Sequence, residues 1–294
     1  MRTDTSAPVV VGVDGSPAAL AAVRLAAREA ALRKCPLRLV HAFIWPQLKA
    51  PRAHLPAGPP EGGLRQQAER TVADAVAEAT RAAPDRVVID EIVDGSPAPV
   101  LLRESRRAGL LVLGYHGLGA VTGALIGSVA TQVAGHAACP VMVARGENHA
   151  DGPVMVGVDG SPWSERAVAF AAEEAALRAA RLVVLHARNG PLPVATGDPE
   201  ATASDVDASD ADEEVALTAT VAALRARHPQ VPMTHRLVQG RATRVFVAES
   251  AGAQLMVVGA RGRGGFPGLR LGGVSQAVLH HGSCPLTIVQ EPQP

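Results

Sequence analysis

The chain has 294 residues, enough for two domains of about 150 residues that each bury a core without disulfide or metal staples. Its 28 basic and 28 acidic residues balance, so it lacks the basic footprint of a nucleic-acid binder; with no long uncharged apolar run to span a membrane, a cytoplasmic protein is expected, with neither nucleic acid nor membrane as partner. Cys35, Cys139 and Cys284 form no Cys-x-x-Cys pair and no disulfide framework, and Cys139 and Cys284, each followed by proline and an apolar strand, read as small buried hydrophobes.

From the N-terminus, the apolar run Val9–Val13 predicts a strand. A helix is expected next: Ser16 stands as N-cap, Pro17 takes the first position, and Leu20, Val23, Ala27 and Ala30 share one stripe. Further strands are predicted at Leu37–Ala42, Val87–Val93, Leu110–Gly114 and Val141–Ala144, with helices at Leu64–Arg81, Pro97–Ala108 and Ser128–Ala137. The strands read as apolar on both faces and alternate with helices, which argues a parallel sheet covered on both sides. The proline-rich stretch Trp45–Gly63 excludes a regular element, and the short polar stretch Arg145–Pro153 reads as a linker.

Beyond it the same order begins again. "VVVGVDGSPAA" from Val9 is answered by "VMVGVDGSPWS" from Val154, "VHA" at Val40 by "LHA" at Leu185, and "ACPVMVA" at Ala138 by "SCPLTIV" at Ser283, all at an offset of 145 residues. A repeat this long describes two copies of one domain; we place them at 1–146 and 152–294. The second copy also carries eight acids between Asp198 and Glu214, without the central glycine of a calcium-binding EF-hand loop, and these read as a solvated loop running into a helix.

The chemistry lies in two glycine-rich loops that follow predicted strands. "GYHGLGAVTGALIGSVA" starts at Gly114 and "GARGRGGFPGLRLGGVS" at Gly259; Gly114, Gly117 and Gly127 recur as Gly259, Gly262 and Gly272 with identical spacing. Glycine lets a ligand approach the backbone closely. In an open parallel sheet, ligands bind beyond the carboxyl ends of the strands where the winding reverses, so a crevice between the first and fourth strands would set Asp14 against the loop from Gly114. The loop amides and the helix starting near Ser128 then suit a polyphosphate. Asp14 would repel phosphate, and is better placed as an acceptor for ribose or adenine, so a purine nucleotide is the expected ligand. The plain alternatives are a turn residue for Asp14 and an N-cap for Ser128.

Other chemistries are excluded. Lys34 and Lys49 are the only lysines, so no Walker A loop exists, and neither a GxGxxG fingerprint nor an HExxH zinc motif is present. His41 and His186 end the second strand of each copy and read as hydrogen-bonded strand-end residues.

"VVVGVDGSPAA", "VHA" and the Gly-2x-Gly-9x-Gly-Ser spacing resemble the universal stress proteins of the tandem, ATP-binding kind. The resemblance implies an α/β fold of two tandem, Rossmann-like copies, each an open five-stranded parallel sheet with helices on both faces. It also implies ATP, Mg²⁺ held mainly through the phosphates with no protein metal site, a regulatory role under stress and a regulatory protein partner; helix or loop contacts between copies of the chain are expected to make a homodimer. Carried over, Gly12, Asp14 and Ala42 would border adenine and ribose, and Gly114, Gly117, Gly127 and Ser128 the phosphates, together with Leu118, Gly119 and Val129 of the same loop. In the second copy the matching set is Gly157, Asp159 and Ala187, then Gly259, Arg261, Gly262, Arg263, Gly264, Gly272, Gly273, Val274 and Ser275. Gly273 departs from the pattern, which asks for Ser or Thr there. A slow ATPase or nucleotidyl-transfer enzyme on the same fold, and a dimerisation module with empty loops, remain the alternatives to a non-catalytic regulator.

Overall fold

A computed structural model describes residues 7–44, 60–117, 126–147, 149–188, 214–215, 217–263 and 270–290. The chain divides into two units, the first ending at Ala144 and the second beginning at Arg145.

The first unit runs β1 (Val9–Gly12), α1 (Pro17–Arg33), β2 (Leu37–Phe43), α2 (Pro60–Ala82), β3 (Val88–Asp94), α3 (Pro97–Glu104), β4 (Leu110–Gly114), α4 (Ser128–His136) and β5 (Val141–Ala144). Its strands lie in the order β3-β2-β1-β4-β5, all neighbours parallel. The winding therefore reverses between β1 and β4, with Val11 in register with Val112. Right-handed crossovers put α1 and α2 side by side on one face, and α3 and α4 on the other.

Local chemistry sets these elements. Ser16 Oγ accepts from the Ala19 amide at 3.1 Å, Pro17 opens α1, and Lys34 closes it in the left-handed region at φ 55°. The buried face of α1 is mostly alanine, Ala18, Ala19, Ala22, Ala26, Ala27 and Ala30, with Val23, so the helix lies close on the sheet. Leu20, expected on that face, is only half-buried. Strand β3 is not apolar on both faces as its composition suggested. It is the sheet edge, and Ile89, Asp90 and Glu91 are exposed. Helix α3 stops at Glu104, short of the expected Ala108, because Ser105 Oγ donates to Leu102 O at 2.8 Å and accepts from the Ala138 amide at 2.9 Å, fixing a turn. Helix α2 starts at Pro60, inside the stretch expected to be irregular; proline is at home in a first helical turn.

The second unit repeats the plan: β6 (Val154–Gly157), α5 (Pro162–Leu177), β7 (Leu182–Arg188), α6 (217–227), β8 (Met233–Gln239), α7 (Ala242–Glu249), β9 (Leu255–Gly259), α8 (Gly273–His281) and β10 (Leu286–Val289). Its order is β8-β7-β6-β9-β10, again parallel. Central strands carry the cores, with Leu37, Leu39, Leu110, Leu111 and Met142 fully buried in the first unit, and Leu182, Leu185, Leu255, Met256 and Ile288 in the second. Among the described residues no helix is long and apolar enough to cross a membrane.

The stretch read as a linker is built into the second unit. Arg145 donates from Nη1 to Val278 O at 3.1 Å and to Leu279 O, and from Nη2 to His280 O at 3.2 Å, satisfying carbonyls at the C-terminal end of α8. The Glu147 amide donates to Ser283 O at 3.0 Å, and Gln254 Nε2 donates to Gly152 O at 2.6 Å.

Candidate functional site

At the carboxyl end of β1, the chain turns sharply into α1. Asp14 Oδ1 accepts from the Ser16 amide at 3.0 Å, and Gly15 takes φ 84°, a conformation costly to residues with a side chain. The other carboxylate oxygen, Oδ2, points at the neighbouring strand: a β-carbon on Gly117 would overlap it. Gly117 follows β4 by three residues, so the crevice expected from the strand order brings Asp14 and the glycine loop together.

Each loop glycine has its own reason. A β-carbon on Gly114 would stand 2.7 Å from the Ala18 carbonyl carbon, so this glycine lets the end of β4 press on the first turn of α1. The Gly127 amide donates to Tyr115 O at 2.8 Å and closes the loop at its base. Gly127, not Ser128, is the N-cap of α4; Ser128 is the first helical residue and is exposed. A glycine cap has no acceptor to offer, and no side chain caps α4. The helix thus begins beside the crevice with first-turn amides that no cap side chain satisfies. Leu118 and Gly119 lie outside the described residues. Val129 is half-buried in the first turn of α4, and Ala42 is half-buried at the end of β2.

The second unit reproduces this frame. Asp159 Oδ1 accepts from the Ser161 amide at 3.0 Å, Oδ2 accepts from the Arg263 amide at 2.9 Å, and a β-carbon on Gly262 would overlap Oδ2. Burial alone would push the Asp159 carboxyl up, but hydrogen bonds from the Ser161 side chain, from the Ser161 and Arg263 amides and from Ser164 hold it below the usual carboxylate range. Gly272 caps α8 without a side-chain acceptor, its amide donating to Ala260 O at 2.8 Å. Gly273 is exposed with open space around its α-carbon, Val274 is half-buried, and Ala187 is the last residue but one of β7 as Ala42 is of β2. Ser275 does not enter the crevice: it is buried, and its hydroxyl donates to Gly259 O at 2.7 Å. Gly264 lies outside the described residues.

Three features escaped the sequence reading. Gly12 and Gly157 have a packing reason: a β-carbon on Gly12 would come within 3.1 Å of Leu101 and Leu113, and one on Gly157 would lie 2.6 Å from Phe246 Cε1. Trp163, where the first unit has Ala18, backs the second loop, within 2.9 Å of where a β-carbon on Gly259 would stand, and the Arg261 guanidinium lies over its ring at 5.9 Å. The difference between the two copies at this one position was the available signal. Arg263, exposed at its backbone turn, lays its guanidinium where a side chain on Gly160 would go. Finally, His41 Nδ1 donates to Val13 O and His186 Nδ1 to Val158 O, each at 2.8 Å, as expected of strand-end histidines that brace the turn carrying the aspartate.

The model of the Universal stress protein family matches the chain twice, over residues 6–145 and 152–290. The chain belongs to the universal stress protein family. It is 37% identical over 300 residues to Universal stress protein Rv2005c of Mycobacterium tuberculosis, covering 96% of this chain and 97% of that protein. With Universal stress protein Rv2623 of the same organism the identity is 38% over 299 residues, covering 98% of both. A universal stress protein from Archaeoglobus fulgidus, solved by crystallography, shares the fold at TM-score 0.69 and 16% identity, covering 96% of this chain and 98% of its own. The tandem arrangement is therefore shared along the full length of the mycobacterial relatives.

Proposed function

We propose that this universal stress protein binds one adenine nucleotide in each unit and acts through nucleotide-dependent conformation rather than catalysis. The observation that carries the reading is the same in both units: a helix whose N-cap is glycine, with no side-chain cap, begins beside a carboxylate held against a loop glycine. Uncapped amides and the positive end of the helix suit phosphates, and the carboxylate suits hydroxyl groups of a ribose. Asp14, Ala42, Gly117, Gly127 and Ser128 would line the first site, and Asp159, Ala187, Arg261, Gly262, Arg263 and Gly272 the second. Mg²⁺ would be carried on the phosphates of ATP, whose charge it would screen. A homodimer and a protein partner that reads the nucleotide state complete the proposal.

The sites differ in charge. Gly114 to Ser128 holds no arginine or lysine, whereas the second loop holds Arg261, Arg263 and Arg270. Charge-assisted hydrogen bonds are worth about 1.5–3 kcal/mol against about 0.5–1.5 for a neutral hydroxyl, before solvent screening, so the second site is expected to prefer ATP over AMP more strongly.

The test is mass spectrometry of ligand released from protein purified without added nucleotide. Near two equivalents of adenine nucleotide per chain are expected, falling to near one in Gly117→Ala or Asp14→Ala. Full occupancy in both variants would refute the assignment.

A further inference from the structure

At the end of the first unit opposite the glycine loop, the C-terminal ends of α3 and α4 frame a groove of about 440 Å³ lined by Pro99, Leu102, Arg103, Arg106, His136 and Ala138. Helix C-termini favour cations, and that alone accounts for Arg103 and His136 in the last turns of the two helices. It does not account for Arg106, which stands beyond α3, nor for three basic side chains converging on one concavity.

The charges are unspent. Neither Arg103 nor Arg106 has an ion pair among the described residues, and the adjacent acid is committed elsewhere: Glu104, buried, is held by Arg38 at 3.0 Å and Arg107 at 3.5 Å. His136 Nδ1 donates to Gln132 O at 2.8 Å, which leaves Nε2 as the free nitrogen of the ring. The floor is rigid, since Ser105 bridges Leu102 O and the Ala138 amide. The repeat supplies an internal comparison. At the positions of Arg103 and Arg106 the second unit has Ala248 and Ala251, while Glu249, Ser250 and His281 match Glu104, Ser105 and His136. Helix α7 ends with no basic residue in its last turn, so the fold does not require the arginines.

We infer that this groove is an anion site for a small organic phosphate, with Arg103 and Arg106 gripping the phosphate oxygens, His136 adding a third contact, and Pro99, Leu102 and Ala138 covering the organic part. Guanidinium forks match phosphate geometry, and the volume is that of a small-ligand pocket. The site is separate from the nucleotide crevice and does not depend on that reading.

The experiment follows the His136 ring by ¹H–¹³C NMR in the full chain, assigned with His136→Gln, during titration with phenyl phosphate and, separately, inorganic phosphate. A saturable shift is expected with phenyl phosphate at lower concentration than with inorganic phosphate. Arg103→Ala with Arg106→Ala should weaken it at least tenfold, and Gly117→Ala should leave it unchanged. Absence of a saturable shift in the native chain, equal affinity in the double-arginine variant, or loss of binding in Gly117→Ala would each overturn the inference.

Discussion

The carboxylate of Asp14 fills the space that a side chain on Gly117 would need, and Asp159 stands in the same relation to Gly262. Gly117→Ala therefore has to displace the carboxylate and break its bond from the Ser16 amide, a loss of about 1 kcal/mol. In an Asp14→Ala background the added methyl group meets no carboxylate. The two substitutions should be non-additive in a thermal double-mutant cycle, and simple additivity would show that the two residues do not touch in solution.

Asp159 carries a pH dependence. Its folded pKa lies below the ordinary 3.8, so the stabilisation is complete above that value and is lost as pH falls through the folded pKa. Asp159→Asn should be less stable than the native chain at neutral pH, with the gap constant down to about pH 4 and closing as pH falls below it. Urea midpoints measured across that range would check it, and a gap that widens on acidification would contradict the sign.

Thiol chemistry should be silent in the native state. Burial pushes Cys139 and Cys284 up to about 12 and raises Cys35 as well. Since the thiolate is the reactive form, N-ethylmaleimide at neutral pH is expected to leave all three cysteines unmodified until denaturant is added, as counted by intact mass.

Glycines that look alike should respond in opposite ways. Gly157→Ala drives a methyl group into the Phe246 ring and is expected to cost about 1–3 kcal/mol. Gly273 begins α8 in open space, so Gly273→Ser should be neutral or stabilising by about 0.5 kcal/mol. On the proposed nucleotide sites, it should also raise ATP affinity of the second unit severalfold by adding the hydroxyl that Ser128 would offer in the first.

Trp163 provides a direct reading of the second loop. With Trp45→Phe removing the other indole, titration with ATP should change the Trp163 fluorescence through Arg261, and the ATP affinity should fall as salt rises. Arg261→Ala with Arg263→Ala should flatten that salt dependence; an unchanged slope would make the arginines bystanders.

The sequence was most legible where chemistry is local or repeated. Leu110–Gly114 and Val141–Ala144 form strands with the expected bounds, and the Ser16–Pro17 start of α1 is as its residues dictate. The meeting of Asp14 with Gly117 could be foreseen because the strand order of an open α/β sheet is nearly forced, and because the pair occurs twice. Distant packing was not legible. Nothing near Gly12 announces that its bare α-carbon accommodates Leu101 and Leu113, and the exposure of β3 depends on its being an edge, which composition does not record. Ser275, carried over with the second loop, is instead tied to the turn at Gly259, a bond that no sequence feature announces.

The clamp that Arg145 places on α8 decides where this duplicated chain can be divided. A cut drawn from the repeat, with the polar stretch discarded as a tether, would strip Leu279 O and His280 O of the donor that Arg145 gives them, leaving Val278 O with the Gly282 amide and the glycine-capped start of α8 intact. The shortened half would fray from the far end of the helix that faces the second crevice, and a weakened ligand affinity in it would be an artefact of the scissors. The seam of the duplication is not the seam of the fold, and the arginine must travel with the half that follows it.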